Sequence, residues 1–297
     1  MSKTRANVNI YACKYILMNS RKAIVLSFVL IAAFSLIPVA AHSMNLKNGA
    51  MFKESFALKD GNVTESENWA GYAVTSGDDS VSNVTASFIV PTVNTGGNSY
   101  AAFWVGIDGF NDGTVEQTGI IAEPTGHGPH SSTEYLAWYE FYPAAPVYAS
   151  FTVAPGDTVY ATVSYDNSTG NFTTCISVSS SNGLVGTFSH SQTVSGAQDD
   201  SAEWIVEAPA SAGKILPLAN FGTAYFGENY TEIENTNCAT ISGHHGSIGS
   251  FTSATEIIMV SNSGVPEATP SALNSNGTSF YVTYDQSSTS TNGHGHH

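Results

Sequence analysis

The segment Ala202–Glu207 carries two carboxyl groups that could exchange protons during catalysis. Side chains alternate between the faces of a β-strand, so Glu203 and Glu207 fall on the same face of the strand that this segment predicts. Two acids on one face repel when both are ionised, and the pKa of at least one should therefore rise. The same pair would also fit the solvated outer face of an ordinary strand, and both interpretations stay open from this segment alone.

A second segment, Trp104–Asp108, leads towards a lone amide at Gln117. Alternation places Trp104, Gly106 and Asp108 on one strand face, and the missing side chain at Gly106 leaves room for a substrate backbone. Gln117 supplies both a hydrogen-bond donor and an acceptor. Taken singly, Asp108 is typical of a turn at a strand end and Gln117 of a solvated loop, so their chemistry depends on the elements that position them.

Short strands are the elements that would position these side chains. From Trp69 onward, runs rich in Val, Ile, Thr, Tyr and Phe are bounded by Gly, Pro, Asn and Asp, and no segment shows the apolar period of a helix with caps. The runs predict strands at Val81–Val90, Tyr100–Ile107, Tyr135–Tyr142, Ser150–Val153, Thr158–Tyr165, Phe172–Ser179, Glu203–Glu207, Ala224–Phe226, Ile257–Val260 and Phe280–Tyr284. Their spacing of roughly 8–15 residues, without intervening helices, predicts an all-β sandwich.

The charge of the chain divides sharply near residue 59. The first 59 residues carry eight Lys or Arg and one acid, for a net charge of +7, whereas the remainder carries one base and 23 acids, for a net charge of −22. A domain this negative argues against nucleic acid or an anionic membrane as its partner. It would repel itself near neutral pH but not where carboxyl groups are protonated, near or below ~4, which favours an acid, extracellular environment.

Residues 1–43 have the pattern of an export signal. Two basic residues precede an apolar run from Ala23 to Ala41, and cleavage after Ala41 or Ser43 would satisfy the preference for small residues. The run of ~19 residues also reaches the lower limit for a membrane-spanning helix, so an uncleaved anchor at the cell surface is the alternative. We expect a secreted protein with no stable membrane partner unless this segment is retained.

Three further segments complete the predicted organisation. Residues 44–66 read as a linker or pro-segment, because they contain Lys residues but few apolar anchors. Residues 67–285 hold the predicted strands and form one β-sandwich domain. Residues 286–297 are a low-complexity, His-rich tail that we expect to be disordered.

The three cysteines allow one disulfide in the exported part of the chain. Cys13 precedes the apolar run, which leaves Cys175 and Cys238 as the pair available to an exported domain. A bridge between them and two free thiols are both open, because the sequence does not show whether their Cβ atoms meet.

Four short motifs resemble those of a known enzyme family. They are Asn68-Trp-Ala-Gly71, Trp104-Val-Gly-Ile-Asp108 with the Gln-Thr-Gly that follows, Ala137-Trp-Tyr-Glu-Phe-Tyr-Pro143, and Glu203-Trp-Ile-Val-Glu207. From Asn68 to Tyr284 the chain resembles the glutamic peptidases, the eqolisins of peptidase family G1. The resemblance implies a secreted acid endopeptidase whose fold is a sandwich of two long, bent antiparallel sheets of the concanavalin or jelly-roll type, with a cleft over one concave face.

The resemblance also implies roles for individual residues. Gln117 and Glu203 match the catalytic pair of the family, which activates a water molecule. Six residues in the matching motifs would line or support the cleft: Trp69, Trp104, Asp108, Glu140, Tyr142 and Glu207. Leu136 departs from the family, in which an acid often stands two residues before the Trp of the Trp-Tyr-Glu motif, and this puts the pH profile in question.

Two other interpretations use different residues. The His pairs at His127 and His130 and at His244–His245 could bind a metal, but no carboxylate or Cys stands at ligand spacing beside them, so we expect no metal and no cofactor. The main alternative is a carbohydrate-binding sandwich, or a glycosidase that uses Glu203 and Glu207 as acid and base. For the peptidase interpretation we expect polypeptide substrates and a monomeric enzyme.

Overall fold

The structure is a computed structural model that describes Cys13 and residues 57–58, 62–96, 98–126 and 132–285. A short helix, α1 (Glu228–Thr231), and a 3-10 turn (Ile248–Ser250) accompany the strands. The strands are β1 (Ala57–Leu58), β2 (Val63–Ser66), β3 (Trp69–Thr75), β4 (Val81–Ile89), β5 (Ala101–Ile107), β6 (Val115–Thr125), β7 (Ser132–Tyr142), β8 (Val147–Tyr148), β9 (Thr158–Asp166), β10 (Asn171–Ser180), β11 (Gly183–Gln192), β12 (Ser201–Glu207), β13 (Ala210–Ser211), β14 (Lys214–Ile215), β15 (Thr223–Phe226), β16 (Cys238–Ile241), β17 (His244–Ser247), β18 (Ala254–Val260), β19 (Pro266–Pro270) and β20 (Phe280–Tyr284).

Strand pairing arranges these elements as two packed layers that are continuous with each other. The first layer runs β8-β7-β6-β5-β12-β3-β18-β2-β1, and the second runs β19-β20-β15-β4-β9-β10-β11 with the hairpin β16-β17 beside β4. β18 pairs with β3 through its first four residues and with β19 through its last two, so it passes from one layer to the other. The ladders are antiparallel apart from the parallel pairing of β18 with β2. This architecture confirms the predicted all-β sandwich.

One hydrophobic core fills the space between the two layers. Trp204 on β12 reaches across it and donates its Nε1–H to the backbone oxygen of Thr85 on β4, at 2.8 Å. Tyr72 on β3 packs edge-on against Phe280 on β20, with ring centroids 4.9 Å apart. Burial of each large side chain contributes about 2–3 kcal/mol. Because side chains alternate along β12, the inward position of Trp204 places Glu203 on the opposite face of the first layer.

The predicted strands are observed with small shifts of their ends, with one exception. The structure has no strand at Ser150–Val153, and the nearest strand is β8, at Val147–Tyr148. Two long strands, β6 and β11, were missed. The polar and glycine residues of β6, Glu116, Gln117 and Gly119, count against a strand by propensity, but pairing with β5 and β7 on both sides overrides that preference.

The first sheet begins earlier than the sequence predicts. Residues 44–66 were expected to be a linker or pro-segment, yet Val63–Ser66 forms β2 and pairs with β18. The folded domain therefore begins at least four residues before the predicted boundary at residue 67. The apolar run from Ala23 to Ala41 and the tail 286–297 lie outside the described residues, as does the motif containing His127 and His130. Among the helices that are described, none has the length and apolar character needed to cross a membrane.

The disulfide in the structure differs from the Cys175–Cys238 bridge that the sequence left open. Cys175 is bonded to Cys13, with Cα atoms 5.9 Å apart, and Cys238 is a buried free thiol. Cys238, Thr85, Thr162 and Cys175 stand directly opposite one another on four successive strands. Three strand spacings amount to about 14 Å, twice the ~7 Å that a disulfide can span. Burial raises the pKa of Cys238 to about 11, so the thiol stays protonated.

A pair of acids on β6 and β7 makes the fold sensitive to pH. Glu123 is 7 % exposed and stands directly opposite Glu134, while the hydroxyl groups of Tyr100 and Tyr148 also face it. Burial, and then the charge of Glu134, raises the pKa of Glu123 to about 7. The unfolded chain ionises this group from ~4.5 upward. The native state therefore loses stability as the pH rises from ~4.5 to about 7.

Replacing Glu123 by Gln should consequently stabilise the domain at pH 7.5 and have little effect at pH 3. We expect a gain of roughly 1–3 kcal/mol at the higher pH, seen as an increase in Tm of about 3–10 °C. Thermal unfolding of both proteins at the two pH values measures the difference. Glu134→Gln is the matched control, because it removes only the opposing charge and should give a smaller gain. Equal Tm values for Glu123→Gln and the wild type at pH 7.5 would refute the argument.

Candidate functional site

Strand register brings the two predicted catalytic residues into one row across the first layer. Glu203 on β12 stands directly opposite Gly106 on β5, and Gly106 stands opposite Gln117 on β6. Gln117 in turn stands opposite Glu140 on β7. Directly opposed residues project to the same face of a sheet, so Glu203, Gln117 and Glu140 share the face that points away from the core. We call Glu203, Gly106, Gln117 and Glu140, in this order across the sheet, the polar row.

Gly106 provides the space in which the side chains of the polar row can meet. Glu203 and Gln117 are two strand spacings apart, about 10 Å between backbones, and both side chains are long enough to converge above the residue between them. A Cβ atom at position 106 would lie 2.9 Å from Trp104 Cζ3 and 3.3 Å from Gln117 Cβ. Any other residue would therefore push against the indole ring and fill the gap between the carboxyl and the amide.

Aromatic side chains make the row beside the polar row apolar. Ile205, Trp104, Gly119 and Trp138 stand opposite one another on β12, β5, β6 and β7. Gly119 is required there, because a Cβ atom would overlap the backbone oxygen of Phe103 and lie 2.7 Å from Trp104 Cβ. Trp69 packs edge-on against Trp104 with ring centroids 5.0 Å apart. These rings are nearly inaccessible to solvent, so they lower the local polarity around the polar row.

Gln117 is held by a hydrogen bond to Glu140, the residue next to it in the polar row. Its Nε2 donates a hydrogen bond of 2.7 Å to Oε2 of Glu140. Glu140 is 1 % exposed, and burial raises its pKa to about 8 although the hydrogen bond from Gln117 acts in the other direction. At acid pH this carboxyl group is therefore neutral and can also donate a hydrogen bond.

Glu203 lies in a strongly desolvated position. It is fully buried, and neither of its carboxyl oxygens has a hydrogen-bond partner within 3.5 Å. Burial raises its pKa well above the usual value; the nearby Ser201 hydroxyl acts in the other direction, and the charges of Asp108, Asp200 and Asp112 add to the rise. Strand alternation predicted such a rise from Glu207, whereas its main causes here are burial and the charges of these aspartates.

Glu207 is held in the site by two hydrogen bonds. Its Oε2 accepts a hydrogen bond of 2.6 Å from Trp104 Nε1, and its Oε1 accepts one of 3.3 Å from Asn68 Nδ2. Glu207 also lies four residues from Glu203 on the same strand, about 13 Å along the backbone. A glycosidase needs two carboxyl groups that act on one substrate, whereas both oxygens of Glu207 are engaged by Trp104 and Asn68. This arrangement counts against Glu203 and Glu207 as an acid and base pair.

Asp108 holds the segment that leads into β12, the strand that carries Glu203. Its carboxyl oxygens accept hydrogen bonds of 2.9 to 3.0 Å from the backbone N–H groups of Gln198, Asp199 and Asp200. These three residues immediately precede β12. Burial, and then the charge of Asp112, raises the pKa of Asp108 to about 6 although the three N–H groups oppose the rise. Asp108 therefore acts on the polar row through the position of β12.

The partly exposed rim of this face contains the remaining predicted residues. Tyr142 stands opposite Val115 at the end of β7 and precedes a cis peptide bond to Pro143. Leu136 stands opposite Ile121 on the same face and packs with the Trp69–Trp104 cluster. The acid that the family often places at this position is thus replaced by an apolar contact.

The structure adds residues to the site that sequence patterns did not single out. Tyr148 on β8 stands opposite Trp138, and the charges of Glu123 and Glu140 both act on its hydroxyl group. Asp112, Asp199 and Asp200 surround Asp108. Tyr148 lies in a strand too short to predict, and the aspartates lie in two loops that the sequence gives no reason to join.

Comparison with known proteins assigns the described domain to one group. The sequence profile of the Peptidase A4 family matches residues 67–284. Aspergillopepsin-2 from Aspergillus niger is 33 % identical over 189 residues, which cover 56 % of this chain and 64 % of that protein. Scytalidopepsin B from Scytalidium lignicola is 28 % identical over 187 residues, which cover 61 % of this chain and 65 % of that protein. The match thus spans somewhat less than two thirds of each curated relative.

Solved structures show the same fold. The crystal structure of scytalido-glutamic peptidase with a transition state analog inhibitor superposes with a TM-score of 0.58 at 23 % sequence identity. The superposition covers 74 % of this chain and 98 % of that chain. At this level of identity the likeness concerns the fold, and it agrees with the two layers described above.

Proposed function

Because this chain belongs to the Peptidase A4 family, the glutamic peptidases or eqolisins, we propose that it is an acid endopeptidase in which Gln117 and Glu203 form the catalytic pair. The observation that carries the proposal is the polar row, in which a carboxyl group and an amide flank Gly106 on a buried, aromatic face. This arrangement offers a proton-transfer group and a fixed hydrogen-bond donor on either side of a space without a side chain.

In the proposed reaction Glu203 transfers the protons. The ionised carboxylate removes a proton from a water molecule as the water oxygen attacks the scissile carbonyl carbon and forms a tetrahedral intermediate. The carboxylic acid then returns this proton to the leaving nitrogen, the C–N bond breaks, and the products are a carboxylic acid and an amine. Glu203 ends in its starting state, so no cofactor is needed.

Gln117 stabilises the charge that develops on the carbonyl oxygen. Its Nε2–H groups can hold the water and donate to the oxyanion, a contribution typically worth ~3 kcal/mol. An amide keeps its donor at any acid pH because it does not titrate there. Glu140 orients this amide through the 2.7 Å hydrogen bond. Its neutral form, which burial favours up to a pKa of about 8, can donate to the amide oxygen instead and release Nε2 for the substrate.

The proposed base must lose its proton in a site that favours the neutral acid. Burial raises the pKa of Glu203 because no water solvates the charged form. Entry of the substrate and of the reacting water supplies hydrogen bonds to the carboxylate and lowers that pKa. Ionisation of Glu203 is therefore coupled to substrate binding.

The environment in which the enzyme works follows from the same carboxyl groups. Burial raises the pKa values of Glu123, Glu140 and Asp199 to about 7, 8 and 7, so these groups are neutral in acid and their charged forms are unfavourable in the folded protein. Together with the net charge of −22 beyond residue 59, they support a protein that is exported to an acid medium. Its substrates are then polypeptides that unfold in that medium, and it acts as a monomer.

The test is cleavage of a denatured protein at pH values from ~2 to ~7, with the products identified by mass spectrometry. We expect internal cleavage with new carboxyl and amino termini, fastest in acid. A parallel incubation with soluble polysaccharides should show neither hydrolysis nor retention. Glycan hydrolysis without proteolysis would overturn the proposal in favour of the carbohydrate-active alternative.

A further inference from the structure

Three carboxylates outside the polar row lie close enough to share one ion. Asp108, Asp112 and Asp200 each offer one oxygen atom, and these atoms all lie within 4.8 Å of one another. Asp108 directly follows β5, Asp112 stands in the loop to β6, and Asp200 directly precedes β12. Oxygen ligands of Ca²⁺ lie ~2.3–2.6 Å from the ion, so oxygens around one ion are separated by up to about twice that distance. The observed separations satisfy this limit.

The described protein does not supply a positive charge to this cluster. All three residues are at most 5 % exposed. Lys214 is the single Lys or Arg among the described residues, and it is exposed on β14. The three carboxylates accept hydrogen bonds from backbone N–H groups and from the side chains of Thr114 and Asn111. Hydrogen bonds alone oppose the repulsion within the cluster.

A fourth carboxylate beside the cluster has both of its oxygens unsatisfied. Glu116 on β6 is fully buried, and neither oxygen has a hydrogen-bond partner. It stands opposite Ile107, the residue before Asp108, and the charges of Asp108 and Asp112 act on it. Oδ1 of Asp200 is likewise buried without a hydrogen bond. Buried polar atoms in native proteins are satisfied by a partner, and an ion is one of the partners that such exceptions indicate.

We propose that Asp108, Asp112 and Asp200 bind Ca²⁺, which ties the loop after β5 to the start of β12. The ligands are carboxylate oxygens without His or Cys, a set that suits hard cations rather than zinc or copper. Ca²⁺ accepts irregular coordination by six to eight oxygens, some of them from water, whereas Mg²⁺ requires a near-ideal octahedron. Asp108 and Asp200 are 92 residues apart, so no local sequence motif indicates this site.

The test is thermal unfolding of the full chain at pH 6.5, with and without 5 mM CaCl₂ at constant ionic strength, together with calorimetric titration of the metal. Calcium should raise the Tm of the wild type by about 5 °C or more, because a ligand that binds the native state alone stabilises it. MgCl₂ at the same concentration should give a clearly smaller shift. Calorimetry should show about one bound ion per chain.

Two isosteric variants make the result specific to this cluster. Asp112→Asn and Asp200→Asn keep their size and hydrogen-bonding oxygen but lose charge, and each should abolish most of the calcium-dependent shift. Asp157→Asn is the matched control: Asp157 is 6 % exposed and binds the Ala154 N–H outside the cluster, so the shift should remain. No shift in the wild type, or an equal shift in the two cluster variants, would overturn the proposal.

Discussion

The Glu203→Gln variant is expected to lose peptide hydrolysis by a factor of at least 10³ while it keeps the fold. The change replaces one oxygen by an NH₂ group of the same size, in a position where neither carboxyl oxygen has a hydrogen-bond partner to lose. It removes the carboxyl group that is proposed to accept a proton from water and return it to the leaving nitrogen. General acid–base catalysis typically contributes 10²–10⁴, and Glu203 is proposed to act in both directions.

The measurement is kcat/KM at the pH optimum of the wild type, with circular dichroism and Tm as checks of the fold. Removing a buried titratable carboxyl should leave the Tm unchanged or raise it. Glu123→Gln is the control, because it makes the same chemical change on the same face of β6 without touching the polar row. Activity of Glu203→Gln within tenfold of the wild type would show that another group transfers the proton.

The second large effect is expected for Gln117→Ala, which should reduce kcat by 10²–10³ with a much smaller change in KM. The amide is proposed to donate to the oxyanion, which exists only in the transition state and intermediate, so its removal should lower the rate rather than substrate binding. The variant also leaves Glu140 without the 2.7 Å hydrogen bond that it accepts in the native state. Because burial already favours the neutral form of Glu140, the cost in stability should be modest.

Steady-state kinetics on one chromogenic peptide separates kcat from KM for this variant. Gln192→Ala at the end of β11 serves as the control for loss of a glutamine elsewhere in the domain. Gln117→Glu adds a sharper comparison, because it keeps the shape and replaces the donor by an acid that is ionisable. Unchanged kcat in Gln117→Ala would remove the amide from the mechanism.

Strand alternation explains how much of the site could be predicted. It placed Glu203 and Glu207 on one face of their strand, and Trp104, Gly106 and Asp108 on one face of theirs. The register then sets Glu203 opposite Gly106 and Ile205 opposite Trp104. It could not pair the strands with one another. That Glu203 faces Gly106 depends on the position of β12, which comes from much later in the chain and pairs with the edge of β5 opposite to β6.

Electrostatics and cross-links were the features that the sequence could not settle. Repulsion was expected from Glu207, which accepts hydrogen bonds from Trp104 and Asn68, whereas the charges that act most on Glu203 come from aspartates in the loops after β5 and before β12. Export would permit a disulfide between Cys175 and Cys238, but the distance between them across four strands rules it out. Both depend on long-range neighbours, which local patterns do not encode.

β18, the strand that passes from one layer to the other, joins the two layers through main-chain hydrogen bonds in its ladders with β3 and β19. Separating the layers at this edge would break these bonds, so the backbone fixes the spacing of the layers there. The polar row lies on the face of the first layer that points away from the core, so the proposed substrate would approach from outside the two layers, past the partly exposed Tyr142 and Leu136. Substitutions at these two residues should therefore alter which polypeptides are accepted without disturbing the packing between the layers.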